Sequence, residues 1–341
     1  MIVKMKKNIL ITGASGFLGS ALIQSLDKNL YQVIELTRKP SQPAKFKYNW
    51  SPMAGTWELP DHLHIDGVIH LAGESVVSWF WTKKQIEKIR DSRIKSTNLL
   101  VKRFLIKPDK PDFFISSSAI GFYGSRGETL LAESTDSGEG ILAEICRNWE
   151  NESMRAAKEC GIRTVLLRTG LVLGQNGGLF SKIKWQFFFG LGGNLGKGEQ
   201  NMSWIHLHDW VKAARLCMED TSISGPVNMV STQSVTNAEF TRTLARLMVR
   251  PAFFHIPTFL LNKLPGNMGK EVFLSSCKVL PNVLHKKDFK FKFISLESAL
   301  IDILNTNTKL SLFRLCVNKL KFLVMWPVVK FKSLKKRKNK T

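Results

Sequence analysis

Residues 8–22 read NILITGASGFLGSAL. An apolar run ends at Thr12, glycines follow at positions 13, 16 and 19, and a helix-like stretch begins among them. Placed between a strand and a helix, this T-G-x-x-G-x-x-G spacing has a mechanical reading. Gly13 permits the turn, Gly16 lets backbone approach a pyrophosphate, and Gly19 lets the helix pack close to the strand. The helix N-terminus then offers free N–H groups and positive dipole to phosphate. The competing reading is a plain structural turn.

Working outward, β-branched runs predict strands at 7–12, 31–37, 67–71, 112–117 and 163–168, with helices at 16–28, 83–106, 139–160 and 208–219. Strands separated by helices imply a parallel sheet covered on both faces. After Gly225–Pro226 the texture changes. VTNAEFTRTLARLMVRP reads as a capped helix with Asn237 near its start, FFHIP as a short strand, and SLESALIDIL as a late helix. The expected organisation is a Rossmann domain over 1–225, a smaller α/β lobe over 226–304 and a basic apolar tail over 305–341.

About 20 residues beyond the glycines, where an acid would bind the ribose hydroxyls of NAD, residues 33–40 read VIELTRKP. Glu35 falls inside the strand, while the strand end carries Thr37, Arg38 and Lys39. A cation there suits a 2′-phosphate, so NADP(H) is expected over NAD. The competing reading is a solvated arginine.

The chain has 341 residues and a net charge of +23. From Asn305 onward it carries eleven Lys and Arg and no acid, which leaves +12 on residues 1–304. The five cysteines lack CxxC spacing, which argues against a zinc site or disulfide framework and for a reducing compartment. The N-terminus lacks the apolar core of a signal peptide. The longest charge-free stretch in the tail, FLVMWPVV, falls far short of the ~20 residues that a spanning helix needs. A cytoplasmic protein is expected, with no metal site. Its tail is either a solvated extension or a weak peripheral membrane contact formed by a short amphipathic helix and a basic end. Basic residues without interleaved aromatics do not indicate nucleic acid.

The motifs ITGASGFLG, VIHLAGES, ISSSAIGFYG, LLRTGLVLG and SWIHLHDW stand in the order seen in extended short-chain dehydrogenases/reductases. The chain resembles more narrowly the epimerase-family subgroup that carries its own C-terminal domain of unknown function. GGLF…GLGGNLGKGEQNMSWIH, GPVN…VTNAEF and LESAL belong to that resemblance, which covers about residues 7–304. It implies that the Gly13–Gly19 loop, with Ser15, Phe17 and Leu18, holds the coenzyme pyrophosphate, and that Thr37 and Arg38 lie at the adenosine phosphate. Leu71, Ala72, Gly73 and Glu74 would close over the adenine ribose side, and Ser116 and Ser117 would lie beside the nicotinamide ribose. Ser118 matches the serine that bonds the reacting oxygen in active relatives. A homodimer through a helical bundle is common in the wider family.

The same resemblance exposes a gap. Active members of the wider family use Tyr-x-x-x-Lys on one helix, where the lysine one turn on lowers the tyrosine pKa and grips the ribose. This chain has three tyrosines, and the residues four positions after them are Glu35, Pro52 and Gly127. On the helix that should carry the pair, the aligned positions are Leu142 and Cys146. Tyr123 is the substitute candidate, against a reading as a packing residue. His206 either faces the substrate cleft or is a hydrogen-bonded histidine between strand and helix. Phe80 stands where the subgroup usually has an arginine. Two functions stay open: a nucleotide-sugar epimerase or oxidoreductase on an unknown small substrate, or a non-catalytic NADP(H)-binding regulator.

Overall fold

The computed structural model describes residues 6–38, 45–76, 81–264 and 267–305. Lys39, Phe80 and the tail beyond Asn305 lie outside the described residues, so the expectations attached to them stay at the level of sequence.

The glycine-rich turn sits where the sequence placed it, between β1 (Lys7–Thr12) and α1 (Phe17–Ser25). From β1 the chain moves outward through β2 (Tyr31–Thr37), β3 (Lys47–Ser51) and the short antiparallel β4 (Thr56–Trp57). It then crosses to the other side of β1 and builds β5 (Gly67–His70), β6 (Phe113–Ala119), β8 (Arg163–Thr169) and β12 (Gly225–Met229). The sheet order is β12-β8-β6-β5-β1-β2-β3-β4, parallel except for β4. The order reverses between β1 and β5, and an open α/β sheet binds its ligand at that switch point. The edge strand β12 carries the sheet on to Met229.

Alternation along the strands feeds two cores. Ile9 and Ile11 of β1 join Ile69, Ile115 and Leu167 beneath α1 and α5 (Leu207–Glu219). Leu10 faces the opposite side with Val68 and Phe114, under α2 (Lys83–Ile106). Helix α2 starts where the Thr82 side chain accepts the Gln85 N–H. Beside it runs α3 (Ile141–Cys160), which ends at Gly161 in the left-handed region.

Short ladders carry the smaller lobe. Strand β7 (Leu130–Leu131) pairs with β14 (Lys278–Val279), β9 (Leu171–Gly174) with β11 (Trp204–His206), and β10 (Asn201–Met202) with β13 (Val235–Thr236). Around them pack α4 (Gly178–Phe188), α6 (Asn237–Met248) and α9 (Leu296–Asn305), sharing a core that includes Phe180, Trp204, Phe240 and Leu300. The short helices α7 (Thr258–Asn262) and α8 (Asn282–Lys286) complete the lobe. FFHIP is not a strand: Ala252 and Ile256 make isolated bridges to Leu191 and Leu195. No helix among the described residues is long and apolar enough to cross a membrane.

Candidate functional site

The crevice begins at the Gly13 turn. Gly13 has φ +71°, and a Cβ there would lie 2.8 Å from the Leu71 carbonyl and 2.9 Å from the Ala72 nitrogen. The loops after β1 and β5 are thus in backbone contact, and only glycine fits between them. A Cβ on Gly19 would collide with the Gly13 carbonyl oxygen. Gly16 differs: its Cβ would meet only that oxygen, at 3.1 Å, and otherwise points into open space. Helix α1 starts there with no side-chain cap and no acid in its first turn. Its N-terminal N–H groups are thus left without a capping side chain, as a pyrophosphate site requires.

Beneath this edge, a buried chain of hydrogen bonds joins β1, β5 and α2. His70 Nδ1 lies 2.6 Å from Thr12 Oγ1 and its Nε2 lies 3.1 Å from Ser96 Oγ. The Ala72 N–H donates to Thr12 Oγ1 at 3.2 Å, and Ser96 Oγ donates to the Ser92 carbonyl at 2.6 Å. These bonds suit a neutral ring with its proton on Nε2, and burial holds the His70 pKa down at about 3. The loop residue Glu74 is fastened to α2 from both sides. Its N–H donates to Ser92 Oγ at 3.0 Å and its carbonyl accepts from Arg93 Nη1 at 2.9 Å.

At the strand end on the other side, Arg38 is exposed just beyond β2, two residues past Leu36, the partner of Thr12 at the end of β1. Glu35 is turned away and pairs with Lys47 at 3.2 Å. The turn residues divide by direction. Ser15 is exposed and Leu18 packs against the core, while the Phe17 ring lies under Gly174, Gly177 and Gly178. Only the backbone of Phe17 can serve a nucleotide.

The three serines of β6 do not act as a row. Alternation turns Ser116 and Ser118 toward α3, where Ser153 Oγ donates to Ser116 Oγ at 2.9 Å and Ser118 Oγ donates to Glu150 Oε1 at 2.6 Å. Ser116 is fully buried, whereas Ser117 is half-buried. Glu150 also takes Arg168 Nε at 2.9 Å and Nη2 at 2.8 Å. Arg168 Nη1 reaches Tyr123 Oη at 2.9 Å, and Tyr123 donates to Asn228 Oδ1 at 2.8 Å.

Tyr123 is 0% exposed, and burial raises its pKa above the ordinary value. Its hydroxyl is held inside the protein between Arg168 and Asn228, the arrangement of a packing residue. The same network commits the one proton of Ser118 to Glu150. While that bond stands, the proton is not offered to a reacting oxygen. Glu150 and Arg168 were missed in the sequence, although an arginine within the apolar run LLRTG is the signal that marks a buried pair.

Leu142 and Cys146, the positions of the absent pair, lie on α3 against the turn at Gly121. Burial pushes the Cys146 thiol up to about 12, against the pull of the Arg93 guanidinium. The Ile141 and Leu142 N–H groups donate to Glu271 at 2.9 and 2.8 Å, so a carboxylate of the smaller lobe caps this helix. Arg93 is a cation the sequence reading missed. Its guanidinium lies 5.1 Å from the Trp149 ring and 3.3 Å from where a Gly73 Cβ would stand. Nη1 serves the Glu74 and Ile89 carbonyls, while Nε and Nη2 make no hydrogen bond to described residues.

His206 is buried at the junction of β11 and α5. Its Nδ1 accepts the His208 N–H at 3.1 Å as the cap of α5, and its ring lies tilted against Phe293 with centroids 3.9 Å apart. Burial lowers its pKa to about 4. Asp209, fully buried, accepts the Lys292 and Phe293 N–H groups at 3.0 and 2.9 Å and so joins α5 to the smaller lobe. Among the described residues no cluster of His, Cys, Asp or Glu could hold a metal ion.

A family model described as the NAD dependent epimerase/dehydratase family matches residues 9–229, and a domain of unknown function, DUF1731, matches residues 256–303. An epimerase family protein of Mycobacterium leprae is 33% identical over 295 residues, covering 86% of this chain and 95% of its own. The crystal structure of human epimerase family protein SDR39U1 with NADPH superposes with a TM-score of 0.77 at 26% identity, over 87% of this chain and 98% of the human one. A nucleoside-diphosphate sugar epimerase of Corynebacterium glutamicum gives a TM-score of 0.70 at 27% identity, over 96% of this chain and 68% of its own.

Proposed function

We propose that this chain, which belongs to the NAD dependent epimerase/dehydratase family, binds NADP(H) at the β1–β5 switch point as its principal activity. The carrying observation is the α1 N-terminus, uncapped beside Gly16, whose missing side chain leaves open the space a pyrophosphate would take. Arg38 would hold the 2′-phosphate, with no free acid near it on β2 to prefer a bare ribose, since Glu35 is paired with Lys47. The human relative solved with NADPH supports that choice. When bound, the coenzyme supplies hydride chemistry. The chain's residues bind and orient it: the glycine turn at the phosphates, the Leu71–Glu74 loop along one side, and Arg93 on the α3 side.

For proton transfer this site offers little. Leu142 has no proton to give, Cys146 is held as a neutral buried thiol, and Ser118 is bonded to Glu150. This favours coenzyme binding without the acid–base chemistry of the wider family. Calorimetric titration with NADPH and NADH tests the proposal: NADPH should bind at least tenfold more tightly, and equal affinities would overturn it. The second reading, an epimerase or oxidoreductase on a small substrate, is supported by the Corynebacterium relative. Loss of nicotinamide absorbance on incubating the protein with NADPH and a panel of carbonyl compounds would establish turnover, which should then fail in Ser118→Ala.

A further inference from the structure

Among the described residues, eight of the fourteen large apolar side chains that stand exposed are gathered in two segments, 185–191 and 253–260. Phe253 is 85% exposed, Phe189 68% and Phe259 60%. The segments touch: Leu191 bridges to Ala252, and the Phe254 N–H donates to the Gly192 carbonyl at 3.2 Å. Trp185 stacks on Phe189 with ring centroids 6.3 Å apart, so the end of α4 belongs to the same face. Exposed apolar area gathered in this way marks an interaction site.

Charge selects the occupant. The chain has no acidic residue between Glu159 and Glu199, and none between Glu239 and Glu271. The cations within the face lie beside its rings: Lys184 Nζ is 5.7 Å from the Trp185 centroid and Lys263 Nζ is 5.9 Å from that of Phe259. A two-fold interface pairs a surface with itself, so a second copy would bring this cationic face against another of the same sign. Exposed aromatic rings edged by Lys and Arg suit a surface that is apolar within and anionic at its boundary.

We propose that the face formed by residues 185–191 and 253–260 docks on an anionic phospholipid bilayer, with its rings at the headgroup level.

The test uses full-length protein and vesicles of phosphatidylcholine, with or without phosphatidylserine. The protein should sediment with the anionic vesicles, and Phe253→Ser/Phe254→Ser should weaken that binding at least tenfold. Lys184→Glu/Lys263→Glu should do the same without touching a ring. Two tryptophans report separately on face and tail, Trp185 and Trp326. Brominated acyl chains should quench fluorescence that is lost in Trp185→Phe and retained in Trp326→Phe. Wild-type-like sedimentation of both double variants, or quenching lost only in Trp326→Phe, would overturn the proposal. So would a vesicle-free dimer abolished by the same substitutions, which would assign the face to a second copy.

Discussion

Ser118 on β6 donates its hydroxyl proton to Glu150 Oε1 on α3 at 2.6 Å, and the same oxygen takes the Nε proton of Arg168 on β8 at 2.9 Å. Three elements thus meet on one carboxylate oxygen. Both charged side chains are almost wholly out of solvent, at 5% and 7% exposure. Removing one partner of such a pair leaves the other charge buried and uncompensated. Glu150→Gln should therefore destabilise the fold by about 3–5 kcal/mol, read as a lower urea midpoint. Ser118→Ala should cost about 1–2 kcal/mol, the scale of one buried hydrogen bond.

Arg38→Ala should weaken NADPH by about 1.5–3 kcal/mol, the range for hydrogen bonds to charged groups, and leave NADH nearly unchanged. Calorimetry on both coenzymes checks it. An equal loss for the two would remove Arg38 from the 2′-phosphate.

Arg93 should behave differently. It lies against the Gly73–Glu74 loop and Trp149, away from β2. Arg93→Gln should weaken NADPH and NADH alike, by about 1–2 kcal/mol. Loss confined to NADPH would contradict its placement on the α3 side.

Gly16 and Gly19 separate binding from folding. A side chain at 16 projects into open space, whereas one at 19 strikes the Gly13 carbonyl. Gly16→Val should abolish coenzyme binding with a near-normal thermal midpoint, and Gly19→Val should lower the midpoint itself. Thermal melts with and without NADPH distinguish the two.

Stability should fall with acid. His70 and His206 are buried, with pKa values held down at about 3 and about 4. The unfolded chain takes up their protons first, so their contribution is complete above about pH 6.5 and is lost as pH falls toward those values. In that window each adds a slope of about 1.4 kcal/mol per pH unit. His70→Asn should be less stable at pH 7 and lose part of this slope, as measured by urea unfolding at pH 7, 5.5 and 4.5.

The strand-and-helix order and the glycine turn were legible because they rest on local rules: apolar runs, turn residues and helix periodicity. Strands β3 and β4 went unread because KYNWS and TW are too short and mixed to stand out. The serines show a sharper limit. A motif presents Ser116, Ser117 and Ser118 as neighbours, but the pleat sends the first and third into α3 and the second the other way. Period-2 alternation was available in the sequence, and applying it would have set Ser117 apart. The partners Glu150 and Arg168 needed the fold, since 18 residues separate them. His206 likewise could not be placed from its own segment, because Phe293, against which it packs, belongs to the smaller lobe.

Phe17 follows the central glycine of the turn, yet its ring occupies the room that side chains at 174 and 177 would need; a Cβ on Gly174 would come within 2.7 Å of it. Sequence drift at these three sites is therefore locked together. An alanine at 174 or 177 becomes tolerable only when residue 17 shrinks, and a smaller residue 17 opens a hole unless those glycines grow. The ring at position 17 answers to a turn in the neighbouring lobe, although it is spelled inside a nucleotide motif.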